Sequence, residues 1–118
     1  MTVRECYESM GSDYEGVLGR MGSEGMVKRF ALKFLDDPSY GNLEKAIAEQ
    51  NAEEAFRAAH TLKGICLNLG LDRLYKVSAE LTEKLRGREF NGYEESYQEV
   101  QKEYQNTINA IRAMEENK

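Results

Sequence analysis

The stretch from residue 52 to residue 69 carries apolar side chains at alternating steps of four and three residues. This spacing is typical of an α-helix that buries one face, because residues three and four apart share a side of the helix. A half-buried strand would instead need alternation with a period of two. The predicted buried stripe consists of Ala55, Ala59, Leu62, Cys66 and Leu69. We therefore expect the chain to fold around this helix.

The only histidine in the 118 residues, His60, falls nearly opposite this stripe. Gly64 follows it by one helical turn and Leu67 by two turns. Arg57 and Lys63 lie three residues before and after His60, within side-chain reach of the same spot. The pattern predicts a solvent-facing imidazole that is flanked by two cations and lies beside a residue without a side chain.

These residue types suit phosphoryl transfer to the histidine. A neutral imidazole is a competent nucleophile near neutral pH and forms covalent intermediates. Lys63 and Arg57 could offset the negative charge of a phosphoryl group. Gly64 removes a Cβ where an incoming group must approach closely, at a helix cost of roughly 1 kcal/mol relative to alanine.

Structural interpretations of the same residues stay open on periodicity alone. A lone histidine is more often an ordinary surface or core residue than a functional one. Lys63 and Arg57 could form a solvated helix face, and Gly64 could permit a close crossing with another helix. The spacing of the residues does not decide between these interpretations and the functional one.

A family resemblance adds to this pattern. The run Ala59-His60-Thr61-Leu62-Lys63-Gly64, followed by Asn68-Leu69-Gly70, closely resembles the histidine-containing phosphotransfer (HPt) domain of bacterial phosphorelays. The segments 34–37 (Phe-Leu-Asp-Asp) and 81–86 (Leu-Thr-Glu-Lys-Leu-Arg) also look like that family. The likeness therefore covers most of the chain.

The resemblance implies a role for each matching residue. The phosphorylated histidine of the family matches His60, the lysine that supports the phosphate matches Lys63, and the glycine after it matches Gly64. The family usually has a small residue seven positions after the histidine, whereas this chain has Leu67. The docking surface is thus expected to differ in detail from that of the family.

Composition excludes several other classes of function. The net charge of −5 argues against nucleic acid as a partner, because the chain has no basic stripe to neutralise phosphates. No apolar run approaches the roughly 18 residues of a membrane span, and the first residues do not form a signal peptide, so a cytoplasmic protein is expected. Two cysteines and one histidine indicate neither a disulfide framework nor a zinc site. We expect no metal and no cofactor.

Helical spacing continues along the rest of the chain, and residues 1–118 are expected to form a single all-α domain. Short turns between amphipathic helices predict an up-and-down four-helix bundle. Its struts would be 24–50 (broken at Pro38), 52–69, 71–86 and 93–115. Short N-terminal helices, capped at Thr2 and Ser12, would pack across one end of the bundle.

The chain lacks the glycine-rich loops with which kinases and other nucleotide-binding proteins hold ATP, so it is not expected to phosphorylate itself. It also lacks the acidic cluster of a receiver domain. The resemblance implies a phosphocarrier, not an enzyme: His60 would take a phosphoryl group from the aspartyl phosphate of one receiver domain and pass it to the aspartate of another. The metal ion and most of the electrostatic catalysis would belong to the receiver.

The expected partners are receiver domains of response regulators, including those of hybrid histidine kinases, and we expect a monomer. An initiating methionine followed by a capped helix favours a free-standing protein over a piece of a hybrid kinase. The alternative is an interaction module that binds a receiver or kinase without carrying phosphate. A purely structural bundle would leave the residues around His60 unexplained.

A docking surface can also be predicted around the histidine. Phe56 and Leu67 bracket His60 near the same line of the helix and would form an apolar floor, with Arg57 and Lys63 as its charged edge. In the alternative interpretation, Leu67 packs under the N-terminal helices.

Overall fold

The computed structural model describes residues 1–116 and contains helices and turns, with no strand in that range. Residues 117–118 of the predicted domain lie outside the described part of the chain. The seven helices in the described part of the chain are α1 (Val3–Ser9), α2 (Tyr14–Met21), α3 (Glu24–Phe34), α4 (Ser39–Ala48), α5 (Ala52–Leu69), α6 (Asp72–Leu85) and α7 (Glu94–Glu116). The all-α prediction is confirmed, and α5 has the predicted bounds.

Local capping sets where the first helices begin. Thr2 and Glu5 form the predicted capping box at the start of α1. The predicted cap at Ser12 is wrong, because the side chain of Asp13 accepts the hydrogen bond from the first turn of α2. The Ser12 hydroxyl instead accepts a hydrogen bond from the backbone N–H of Asp72, at 3.3 Å. A contact between distant segments thus occupies the side chain that the local pattern assigned to the cap.

Helices α4 to α7 form the predicted up-and-down bundle, in which each helix packs against the next one along the chain. The rings of Tyr40 and Tyr104 stack at 3.8 Å between centroids and join α4 to α7, so the four helices enclose one core. The first strut is interrupted at Pro38, as predicted, since proline lacks the N–H that an uninterrupted helix needs. Helix α3, before this break, also packs against α5 and α7.

The core contains the predicted stripe of α5, all five residues of which are buried. Facing side chains on α6 and α7 complete it, including Leu74, Leu81, Leu85, Val100 and Ile111. Full burial of one such aliphatic side chain stabilises the fold by roughly 1.5–3 kcal/mol. The rigid core therefore fixes which face of α5 is left outside.

The N-terminal helices pack against the end of the bundle where α5 turns into α6. The Tyr7 hydroxyl donates a hydrogen bond to the backbone carbonyl of Leu69, at 2.7 Å. Gly70 ends α5 in the left-handed conformation, with φ +69°, and an added Cβ there would lie 2.0 Å from Cγ2 of Val17. Only glycine fits both the conformation and the space. Helix α2 is thereby held against the C-terminal end of α5.

No helix within residues 1–116 is both long enough and apolar enough to cross a membrane.

Candidate functional site

Within residues 1–116, helix α5 has one face that the other helices leave uncovered. Helices α4 and α6 pack against it from two sides, and its apolar stripe faces the core. His60, Gly64 and Leu67 follow one another at steps of four and three residues along the remaining side, which we call the His60 face. His60 is exposed, as predicted. Its imidazole is therefore accessible to a partner.

The space around Gly64 separates two interpretations of this glycine. A Cβ built on Gly64 would meet no atom within 4 Å outside the helix's own neighbouring backbone. A glycine that permits a close helix crossing would have the facing helix within that distance. The close-crossing interpretation is therefore wrong, and folding itself gives no steric reason for the missing side chain.

Leu67 is 54% exposed, and within residues 1–115 it is the one large hydrophobic residue that is exposed. Its backbone carbonyl accepts a hydrogen bond from the guanidinium of Arg20, at 3.3 Å, while its side chain remains in solvent. The alternative that Leu67 packs under the N-terminal helices is wrong. An apolar side chain thus lies two turns from His60 on an uncovered face.

Phe56 differs from the prediction, because it is only 9% exposed and cannot form the open floor of a docking surface. The guanidinium carbon of Arg88 lies 4.0 Å from the centroid of the Phe56 ring, and that of Arg86 lies 5.5 Å from it. The segment after α6 covers the ring. Phe56 remains close to the histidine, with 6.0 Å between its ring centroid and that of His60 and 13° between the two planes.

Arg57 forms ion pairs within its own helix. Its guanidinium lies 3.1 Å from the carboxylate of Glu53 and 3.5 Å from that of Glu54, one turn before it. The structure thus directs Arg57 toward the start of α5 and does not bring it to His60 as predicted. Exposed pairs of this kind contribute about 0.3–0.5 kcal/mol each, so a partner could draw the side chain away at little cost.

Lys63 is half-buried on the α6 side of the His60 face. The hydrogen bond from Arg86, and more weakly the positive charge of Lys63, lower the pKa of the Glu83 carboxyl on α6. Within residues 1–115, the ion pairs within 4.0 Å involve Arg4, Arg57 and Arg86, and none involves Lys63. The ammonium group of Lys63 therefore has no tight carboxylate partner in the described residues.

Sequence reasoning assigned no role to Arg86 and Arg88, which the structure places over Phe56. They flank Gly87 at the end of α6, and in the sequence they are simply basic residues in a turn. The signal that the sequence offered was two arginines close together near a predicted helix end. That signal does not reveal that the turn folds back over the first half of α5.

In the described part of the chain, no three His, Cys, Asp or Glu side chains are grouped so that they could hold a metal ion. Cys6 and Cys66 are free and buried, and burial raises the pKa of both thiols. A thiol that resists ionisation is a poor nucleophile and a poor metal ligand. Neither thiol is therefore suited to nucleophilic chemistry or metal ligation, whereas the imidazole of His60 is exposed.

Comparison with known proteins gives a match in the same region. The family model described as Hpt domain matches residues 39–113, which is more than half of the chain. The match begins at α4 and includes all of α5 and α6 and most of α7. No curated protein and no solved structure matches the chain.

Proposed function

The chain belongs to the Hpt domain family, and from that premise we propose that His60 carries a phosphoryl group between receiver domains. Members of this family are in general phosphocarriers, not enzymes, and they act in two-component signalling with the receiver domains of response regulators. The specific relay, from the aspartyl phosphate of one receiver through His60 to the aspartate of another, is our proposal.

The observation that carries the proposal is the composition of the His60 face. It combines an exposed imidazole, a glycine with open space above it, and a leucine that is 54% exposed. Protein interfaces typically have an apolar centre and a polar rim. A receiver that docks on Leu67 and Gly64 could bring its aspartyl phosphate up to the imidazole without meeting a side chain at position 64.

The transfer step uses the lone pair of one imidazole nitrogen. That nitrogen attacks phosphorus and forms the N–P bond, while the bond between phosphorus and the aspartyl oxygen breaks. The electron pair of the broken bond leaves with the carboxylate, and the other ring nitrogen keeps its proton. The reverse step delivers the phosphoryl group to a second receiver. Imidazole as a chemical group suits both directions, because it can act first as a nucleophile and afterwards as a leaving group.

Lys63 is the cation we assign to the phosphoryl group. Lys63 lies three residues after His60, is half-buried and forms no ion pair within 4.0 Å in the described residues. Its ammonium group is therefore free to donate a charge-assisted hydrogen bond to a phosphoryl oxygen. We assign Arg57 to the rim of the docking surface, where it would have to leave Glu53 and Glu54. Phe56 is assigned no direct contact with the receiver, because it is covered.

The phosphoryl donor is proposed to be a phosphorylated receiver, since the sequence has no glycine-rich ATP-binding loop. Action as a monomer in the cytoplasm is part of the same proposal.

A labelling experiment tests the proposal. The protein is incubated with a panel of receivers carrying labelled aspartyl phosphate, and the label is followed by gel. We expect labelling that is acid-labile and alkali-stable, as for a phosphoramidate. His60→Gln should accept no label while it keeps the melting temperature of the wild type, since His60 is exposed.

Two results would contradict the proposal. Label on His60→Gln would show that another residue is the phosphorylation site. Receiver binding by the wild type without labelling, across the whole panel, would favour the interaction module that carries no phosphate.

A further inference from the structure

The Phe56 ring connects the histidine to the turn after α6. On one helix, residues four apart lie on nearly the same side, so Phe56 and His60 are neighbours along the outer part of α5. Their rings are nearly parallel, at 6.0 Å between centroids, within the range of interacting aromatic pairs. The guanidinium carbon of Arg88 lies 4.0 Å from the same Phe56 ring. One aromatic ring thus contacts both the reactive imidazole and a cation.

The backbone of Arg88 has an unusual conformation for a residue with a side chain. Its φ is +58°, in the left-handed region that favours glycine. The conformation is fixed by a hydrogen bond from its backbone N–H to the carbonyl of Leu85, at 2.9 Å. Glycine would occupy this position without strain, and Gly87 next to it shows that the turn accepts glycine. Arg88 thus keeps a side chain at a position where glycine would be less strained, and that side chain lies over the Phe56 ring.

The charges around the turn show why Arg88 stays on the ring. Arg86 is held by Glu83 through two hydrogen bonds, at 2.6 and 3.0 Å. Arg88 forms no ion pair within 4.0 Å in residues 1–115, and its Nη1 donates to the backbone carbonyl of Arg86, at 2.6 Å. The remaining favourable surface for its guanidinium is the face of Phe56.

We propose that Arg88 is a positioning residue for His60: by holding the Phe56 ring in place, it restricts rotation of the imidazole that Phe56 contacts. This inference rests on the proposed function, in which the imidazole nitrogen must face the incoming phosphorus. An imidazole on an exposed helix face has no other aromatic neighbour in the described structure to restrict it. Holding a nucleophile near its reactive orientation accelerates transfer without strengthening binding.

The test uses Arg88→Gly, which removes the guanidinium and also relieves the backbone, together with Arg88→Lys, which keeps a cation. The matched control is Gln50→Gly, since within residues 1–116 Gln50 is the other non-glycine residue with a positive φ, +54°, and lies in the turn between α4 and α5. Transfer from a phosphorylated receiver is measured over a range of receiver concentrations. The ring-proton shifts of His60 are measured by NMR on the unphosphorylated protein.

For Arg88→Gly, the maximal transfer rate is expected to fall about two- to five-fold. This factor corresponds to the free energy of an exposed cation–π contact. The half-saturating receiver concentration should stay unchanged, and the His60 ring-proton shifts should move toward those of a free histidine. Arg88→Lys should recover part of both effects. Gln50→Gly should change neither quantity.

Distinct results would overturn the inference. Unchanged His60 shifts in folded Arg88→Gly would show that Arg88 does not restrain the imidazole. An increase in the half-saturating concentration alone would make Arg88 a receiver contact and not a positioning residue. If the wild type accepts no label, the proposed function fails, whereas the NMR comparison still decides whether Arg88 and His60 are coupled.

Discussion

Replacing Gly64 with alanine should make the protein more stable and less active. The residue lies in the interior of α5, where glycine is less favourable than alanine by about 1 kcal/mol because it loses more backbone freedom on folding. An added methyl group would meet no atom within 4 Å beyond the adjoining helix backbone, so no steric cost offsets this gain. For a domain of this size, the gain corresponds to a rise in melting temperature of about 3–5 °C.

The same methyl group would project from the His60 face. If a receiver packs closely over Gly64, the methyl group forces one partner to shift, and overpacking of this kind typically costs about 1–3 kcal/mol. This cost corresponds to a loss of receiver affinity, or of transfer efficiency at low receiver concentration, of about five-fold to more than a hundred-fold. Stability and function are therefore expected to change in opposite directions.

Thermal unfolding and transfer from a phosphorylated receiver measure the two effects. Gly25→Ala is the matched control, because Gly25 lies in the first turn of α3, and an added Cβ there would approach only the Ser23 hydroxyl, at 4.0 Å. It should raise the melting temperature slightly and leave transfer unchanged.

Wild-type transfer by a stabilised Gly64→Ala protein would refute the idea that a partner approaches this glycine closely. A lower melting temperature would instead show that the open space above Gly64 is filled in solution.

Three further perturbations test other parts of the reasoning. Leu67→Ala should weaken receiver binding in a titration. Because the side chain is exposed, the substitution should change the unfolding free energy by less than about 0.5 kcal/mol. A large loss of stability with normal receiver binding would exclude Leu67 from the docking surface. Lys63→Ala should slow transfer about ten- to a hundred-fold with a nearly unchanged melting temperature, and an unchanged rate would exclude it from the mechanism. Burial raises the pKa of the Cys6 thiol from 9.0 to about 11, so the unfolded chain loses this proton first and stability should fall as pH rises from about 9 to 11. Denaturant titrations across that range should show that the unfolding free energy of Cys6→Ala falls less with rising pH than that of the wild type. Equal slopes of unfolding free energy against pH would contradict the raised pKa of Cys6.

Helical periodicity by itself determined the part of the site that depends on one helix. Side chains on an α-helix point in directions that their spacing fixes, so a buried stripe at Ala55, Ala59 and Leu62 requires His60 to face outward. The bounds of α5 followed from local chemistry, since Asn51 caps its start and Gly70 ends it in the left-handed conformation.

Tertiary structure decided what surrounds that helix. The sequence left two interpretations each for Gly64 and Leu67, and only the positions of the other helices separate them, because a gap or a contact depends on elements distant in the chain. Arg57 could have turned either way along α5, and the nearby carboxylates of Glu53 and Glu54 drew it away from the histidine.

The covered state of Phe56 depends entirely on the folded chain. Its position on the helix wheel, near His60, predicted exposure, and that prediction failed because Arg88 reaches it from a turn more than thirty residues later. Periodicity reports the direction of a side chain from its own helix axis, whereas burial depends on what the rest of the chain places in that direction. The exposed position of His60 was therefore predictable from the sequence, whereas the turn that covers Phe56 became apparent only in the fold.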